Sequence, residues 1–442
     1  MARFCFLPRG RIAILGELNT RSARPHRSPV EITHRYARWF QHALRFAIKG
    51  IAMDTSTGLL TRGQYAAIVK PLLPVEAFSL SKRKLWQCGA HLVVIALCVW
   101  GIREWTNTFA RLALSATIGH SLTCMVFLAH ELSHGAMMGR STVRYLLEVF
   151  LWGLNMVPAT MWRKLHNENH HAHANTLNDP DRYFRQCELD APGGTLRRWY
   201  ARYFMPHRLT SRWNLGVGFH FVTYILRHLA TVFYPGAKRP AIVTFKPDYR
   251  SGDRWRIVFE LACIVGLQVA IYFAAGQTLS GWLFAGPIAL LFTSTYAMSY
   301  IWTNHYLHGL AELHDPLLGS TSIDVPPLLD RLHSNFSYHT EHHLFPSMSS
   351  DFYPLVSKIL RERFPERYHR LSYREAWRKL WQGELHIVEQ PGTTAAVVVP
   401  ATVAEPPLVD AEAVAIRGPH QGFSAVPHTP LVATSISEVH SH

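Results

Sequence analysis

Histidine is the residue type through which this chain can do chemistry. It supplies 27 of 442 residues, about 6%. The histidines gather in four short clusters. The first is His130-Glu131-Leu132-Ser133-His134, and the second is His166-Asn167-Glu168-Asn169-His170-His171 with His173 close behind. The third is Asn304-His305-Tyr306-Leu307-His308, and the last is His339-Thr340-Glu341-His342-His343, followed by Leu344-Phe345-Pro346. Residues four apart on a helix lie on one face. That pairs His130 with His134, His166 with His170, Asn304 with His308, and His339 with His343, while His342 shares the last face at i+3. A helix holds such imidazoles rigidly enough to aim them at a metal ion.

Nine imidazoles emerge as candidate ligands: His130, His134, His166, His170, His171, His308, His339, His342 and His343. One tetrahedral zinc takes three or four protein ligands, so nine suit two metals of higher coordination number. Imidazole serves zinc, copper and iron alike, and ligand type does not name the metal. His173, seven residues beyond His166, is read as support rather than ligand, and His305 as a neighbour pointing off the Asn304/His308 face. His333 lies outside any motif, and His420, His428, His440 and His442 read as solvated. Glu131, Glu168 and Glu341 are expected to hydrogen-bond the imidazoles from behind. The six cysteines (5, 88, 98, 124, 187 and 263) contain no C-x-x-C pair, which excludes a disulfide framework and a paired-thiolate metal site.

The clusters need elements to position them, and hydropathy supplies these. Four stretches, at about 86–105, 112–129, 256–275 and 282–303, are long and apolar enough for the ~30 Å hydrocarbon layer. They form two hairpins with short connections, and the histidine clusters fall at the ends remote from those turns. Basic residues crowd the same ends: Lys82, Arg83 and Lys84, Arg140 and Arg144, then Lys246, Arg250, Arg254 and Arg256. The positive-inside rule therefore predicts both termini, the central segment and all four clusters on the cytoplasmic side. Two further segments, 145–161 and 213–235, carry Glu148, Arg227 and His228 and are expected to lie in the membrane interface. The domain reading is a basic arm and pre-membrane segment over 1–80, a membrane domain over 81–390, and a disordered tail over 391–442.

The formal net charge of +15 is uneven: residues 1–50 carry nine Arg and one Lys against two Glu. A flexible basic arm, a targeting segment and an overextended start with Met53 as the beginning are all compatible with it. A secretory signal is not, because no apolar core precedes a cleavage site. No nucleic-acid-binding motif accompanies the charge, so nucleic acid is excluded as a partner and the lipid bilayer is retained.

From roughly 80 to 365 the sequence resembles the membrane-bound fatty acid desaturase superfamily. The resemblance rests on three histidine boxes, H-x3-H (His130/His134), H-x3-H-H (His166/His170/His171) and H-x2-H-H (His339/His342/His343), with an N-x3-H element, Asn304/His308. It implies an all-α integral membrane protein with four transmembrane helices under a cytoplasmic helical cap that carries the metal site. It also implies two iron ions held by the nine histidines, with Asn304 acting through a water. O2 would be co-substrate for removal of two hydrogens from an acyl chain borne by a membrane lipid, CoA or a carrier. Electrons would come from an external donor such as a ferredoxin or haem cytochrome, since the fused haem domain of some relatives, with its HPGG motif, is absent. The three-residue spacing of the first box and the His at the start of the third favour the acyl-lipid type.

An unactivated methylene has no acidic proton, so acid–base side chains cannot break it and a high-valent metal–oxygen species is required. The protein must hold the metals, exclude water and pin one pair of carbons; Trp162, Trp302 and Tyr306 are candidates to line the tunnel that does so, and each reads first as an ordinary interfacial aromatic. Three rivals bear on the same residues. A hydroxylase or ketolase would use the same diiron scaffold. His-Glu-Leu-Ser-His also reads as the H-E-x-x-H zinc-protease signature with Glu131 as base, which leaves seven ligand candidates unexplained. A metal carrier would place its ligands mid-membrane rather than at the helix ends.

Overall fold

The computed structural model describes residues 59–182, 188, 194–204, 216–234, 242–311, 314–382, 385–389 and 396–400. The helices run in chain order as α1 (Arg62–Val69), α2 (Leu85–Glu104), α3 (Thr108–His134), α4 (Thr142–Leu154), α5 (Ala159–Leu165), α6 (Thr195–Phe204) and α7 (Gly216–Phe233). They continue as α8 (Ser251–Ala274), α9 (Leu279–His305), α10 (Pro327–Leu332), α11 (His339–Leu344), α12 (Tyr353–Arg363) and α13 (Tyr373–Gln382). Strands are few among the described residues. β1 (Ser322–Asp324) pairs in parallel with β2 (Arg370–Ser372), with Ile323 opposite Leu371. β3 (Leu385–Glu389) pairs antiparallel with β4 (Ala396–Pro400).

Among the described residues four helices are long and apolar enough to cross a membrane: α2 with the turn before it, α3, α8 and α9. They coincide with the four expected stretches, extended at the ends. Their apolar windows are 67% buried in α3 and 50% in α9, but only 22% in α2 and 17% in α8. The first two are therefore the inner pair and the last two the lipid-facing pair. The two hairpin turns meet at one end of the bundle, where Arg111 donates to the Trp105 carbonyl (2.5 Å) and to Ser280 Oγ (3.0 Å).

The inner pair packs through Gly119. A Cβ there would sit 2.5 Å from Phe292 Cβ and 2.7 Å from the Ala289 carbonyl, so only hydrogen fits between the helices. Opposite it, α9 passes through a π-helical turn, Phe284–Ile288, around Pro287. Proline cannot donate into the helix ladder; within the same turn the Phe284 carbonyl accepts from Ser115 Oγ of α3 at 2.7 Å.

At 13 residues, about 20 Å, α4 is too short to span. Along α7, Arg227 and His228 are buried against protein rather than lipid, with Arg227 Nη2 3.7 Å from Asp181. Beyond the spans, a second apolar core joins α1 and α12 through Tyr65, Val69, Phe345, Tyr353 and Leu360. Asp315 ties it together, accepting from the Leu60 amide (2.9 Å), Tyr65 OH (3.1 Å) and Arg367 Nη1 (2.9 Å). The described part of the pre-membrane segment, from residue 59, packs into this core. The expected tail from 391 contributes strand β4; residues 1–58 and 401–442 lie outside the described residues.

Candidate metal centre

The histidine boxes are delivered by three kinds of helix end. His130 and His134 occupy the last turn of α3, which Gly135 stops in the left-handed conformation (φ 84°) that glycine adopts without strain. His166 and His170 frame a π-helical turn that continues α5, and His171 opens the short helical turn after it. His339, His342 and His343 lie on α11, of which every residue is buried.

These side chains converge as two adjacent groups. One holds His130, His134, His166, His171 and His342; the other holds His170, His305, His339 and His343. Within each group the donor atoms lie within 4.8 Å of one another. In the first, Nε2–Nε2 separations are 2.9 Å (His130–His166), 3.1 Å (His166–His171) and 3.0 Å (His171–His342). In the second they are 2.7 Å (His305–His339) and 3.1 Å (His339–His343).

This arrangement cannot be satisfied by imidazoles alone. A ring nitrogen is one donor or one acceptor, yet His166, His171 and His339 each turn one Nε2 toward two other imidazole nitrogens, and His134 Nε2 is buried with no partner. A cation at the centre of each group resolves the conflict. Cis donors around an octahedral ion with metal–nitrogen distances of about 2.1 Å lie about 3.0 Å apart, close to what is seen. Burial and the neighbouring imidazoles push His166, His171, His339, His342 and His343 well below the ordinary histidine value. They are held neutral, the form that ligates.

Sequence spacing missed how the boxes divide. His166 and His170, expected to aim at one point, serve different groups: the π turn leaves their rings stacked 5.1 Å apart but their nitrogens diverging. His342, expected on the face of His339, belongs to the first group while His339 belongs to the second. The larger correction concerns His308. α9 ends at His305, so the i+4 face on which His308 was placed does not exist. His308 bonds Thr321 Oγ1 at 2.6 Å instead, and His305 takes the place in the second group. Asn304 is fully buried with neither amide atom partnered and belongs to neither group, a setting suited to a water.

The acidic partners also differ from expectation. Glu131 is held by Lys84 (3.1 Å) and by the Ser350 amide (3.2 Å), Glu168 by Lys164 (2.9 Å), and Glu341 by Ser322 (2.5 Å) and Tyr368. None of these bonds reaches an imidazole, and Glu131 is not presented as a base in the manner of a zinc protease. The carboxylate on an imidazole is Asp179, 3.0 Å from His170 Nδ1 and itself fixed by the Asn175 and Asp181 amides. Burial lowers His170, but Asp179 and Asp181 together outweigh it and hold the imidazole above its ordinary value. Tyr353 OH lies 3.1 Å from His342 Nδ1. Neither Asp179 nor Tyr353 sits at a spacing that marks it in the sequence.

An apolar cavity runs to both groups. His130, His166, His170, His305 and His339 line it together with Val126, Phe127, Trp162, Met298, Tyr306 and Phe336. Trp162 stacks on Trp152 (4.3 Å between centroids) and on His166 (4.4 Å), forming one wall. Of the three aromatics expected there, Trp162 and Tyr306 line the cavity; Trp302 is buried elsewhere.

Residues 105–377 match the family described as Fatty acid desaturase. Two curated relatives, each described as an NADPH-dependent stearoyl-CoA 9-desaturase, come from Mycobacterium tuberculosis strains CDC 1551 / Oshkosh and ATCC 25618 / H37Rv. Each is 26% identical over 247 residues, which cover 50% of this chain and 54% of the relative. The chain spans about half the length of these relatives.

Proposed function

The chain belongs to the fatty acid desaturase family, and on that premise we propose that it is an O2-dependent acyl-chain desaturase working at a diiron centre. One iron would be held by His130, His134, His166, His171 and His342, the other by His170, His305, His339 and His343, with Asn304 acting through a water. The observation that carries this reading is the apolar cavity whose wall includes imidazoles of both groups. It supports a chain of methylenes lying across the pair of metals.

Bound iron would supply the activation of O2 that abstracts hydrogen from two neighbouring carbons. Taken overall, one O2, two electrons and two protons convert a CH2–CH2 pair to CH=CH with release of two waters. The remaining tasks fall to side chains. The Trp152/Trp162 stack and Phe127 and Phe336 line the substrate space with apolar surface and exclude water from it. Asp179 and Tyr353 orient His170 and His342 from behind, fixing which ring nitrogen faces the metal.

The electrons require an external donor, a ferredoxin or a haem cytochrome. The acyl-lipid form follows the spacing of the first box; the M. tuberculosis relatives by name act on stearoyl-CoA. The centre and both termini are proposed to be cytoplasmic, following the basic residues at the remote ends of the spans.

The test is gas-chromatographic lipid analysis of cells expressing the intact chain or His342→Ala. A new unsaturated acyl chain only with the intact protein is expected, and fragmentation locates its double bond. Hydroxy- or keto-acyl products would replace the desaturase reading with an oxygenase on the same scaffold. Acyl-lipid and acyl-CoA pools assayed separately assign the head group.

A further inference from the structure

A different donor set lies on α3, about 15 Å along its axis from His130 toward the hairpin turns. His120 and Cys124 are one helical turn apart there, and both face His333, which precedes α11. The two imidazoles meet with Nε2 atoms 3.2 Å apart, and the donor atoms of all three side chains lie within 4.8 Å of one another. Tyr300 OH lies 2.9 Å from His333 Nδ1, which fixes the ring and directs its Nε2 at His120. Cys124 is a buried free thiol.

We propose that His120, Cys124 and His333 form a third, mononuclear metal site, distinct from the two histidine groups, that takes a thiophilic d10 cation such as zinc. The donor chemistry separates it from the others: one sulfur and two imidazole nitrogens suit zinc or copper(I), whereas the two groups are all-nitrogen. The spacing agrees. Zinc–nitrogen distances of 2.0–2.1 Å in a tetrahedron place two nitrogens about 3.3 Å apart. On binding, the cation replaces the thiol proton, which leaves to solvent, so the site gains one sulfur–metal bond and releases one proton.

A cation there has a structural task. His333 opens a segment in which Ser334 (φ 52°) and Asn335 (φ 56°) hold the left-handed conformation that costs non-glycine residues energy. This segment leads directly into His339. A metal bridging His333 to α3 fixes it to the inner span. Phe127 and Phe336, which line the apolar cavity, stack 4.2 Å apart beside it.

This third site is independent of the reaction proposed above, and reading two metals keeps them apart. The full-length protein, purified in detergent, is analysed for iron and zinc, then chelator-washed and titrated with Co2+ alone. Expected are one zinc per chain and a thiolate-to-cobalt charge-transfer band that saturates at one equivalent. Cys124→Ser should lose both. No band in the wild-type protein would overturn the site, and that outcome needs no variant to fold. A band that persists in Cys124→Ser would overturn it equally.

Discussion

Asp179 reaches His170 at 3.0 Å and is otherwise fixed by two backbone amides, so it acts on the second histidine group through one imidazole. Asp179→Asn keeps the shape and removes the charge. Losing such a partner typically costs ~10–100-fold in metal affinity; iron per purified chain should fall from two toward one. His305 and His308 give a sharper test. His305→Ala should lose iron from the second group, whereas His308→Ala, which removes a bond to Thr321 and a ring contact with His369, should keep both irons. The reverse outcome would restore the ligand set drawn from spacing alone. Eight of the nine grouped imidazoles are legible in the sequence, because boxes of histidine at helical spacing stand out against any background. His305 is not, because the spacing counts on a helix that continues past it, and the helix stops there. Asp179 is illegible for a different reason: its approach to His170 depends on a turn whose geometry no periodicity records.

At the scale of elements, hydropathy and length place the four spans, since a ~30 Å apolar layer leaves a helix few alternatives. Interruptions inside helices are not legible. The π turns at Phe284–Ile288 and His166–His170 depend on what packs alongside. Gly119 measures that packing. Gly119→Leu forces α3 and α9 apart, at a cost of at least the ~1–3 kcal/mol usual for overpacking, and should lower the thermal midpoint of the detergent-solubilised protein. Lys84 and Glu131, both buried, tie the start of α2 to the histidine end of α3. Lys84→Met strands the carboxylate in a buried site, where breaking one partner of such a pair costs ~3–5 kcal/mol. Loss of soluble, folded protein on size-exclusion chromatography checks it, and Lys84→Met/Glu131→Gln should recover much of the loss.

For the molecule as a whole, the two hairpin turns lie together at one end of the bundle and the histidines at the other. Reporter fusions test the proposed orientation: alkaline phosphatase inserted at Gly276 should be active in a bacterial host, and the same enzyme fused after Gln382 should be silent. Activity at both points would place a span wrongly. The division of the boxes has a consequence for how the protein matures. The segments carrying His166, His170 and His171, and His339, His342 and His343, each give ligands to both groups. Each segment is therefore a lace threaded through two eyelets, and drawing one tight draws the other. In the proposed diiron centre, the first iron to arrive would order most of the second iron's ligands before that ion is present. Iron uptake by the metal-free protein should then be sigmoidal, with half-loaded molecules scarce at every stage of the titration.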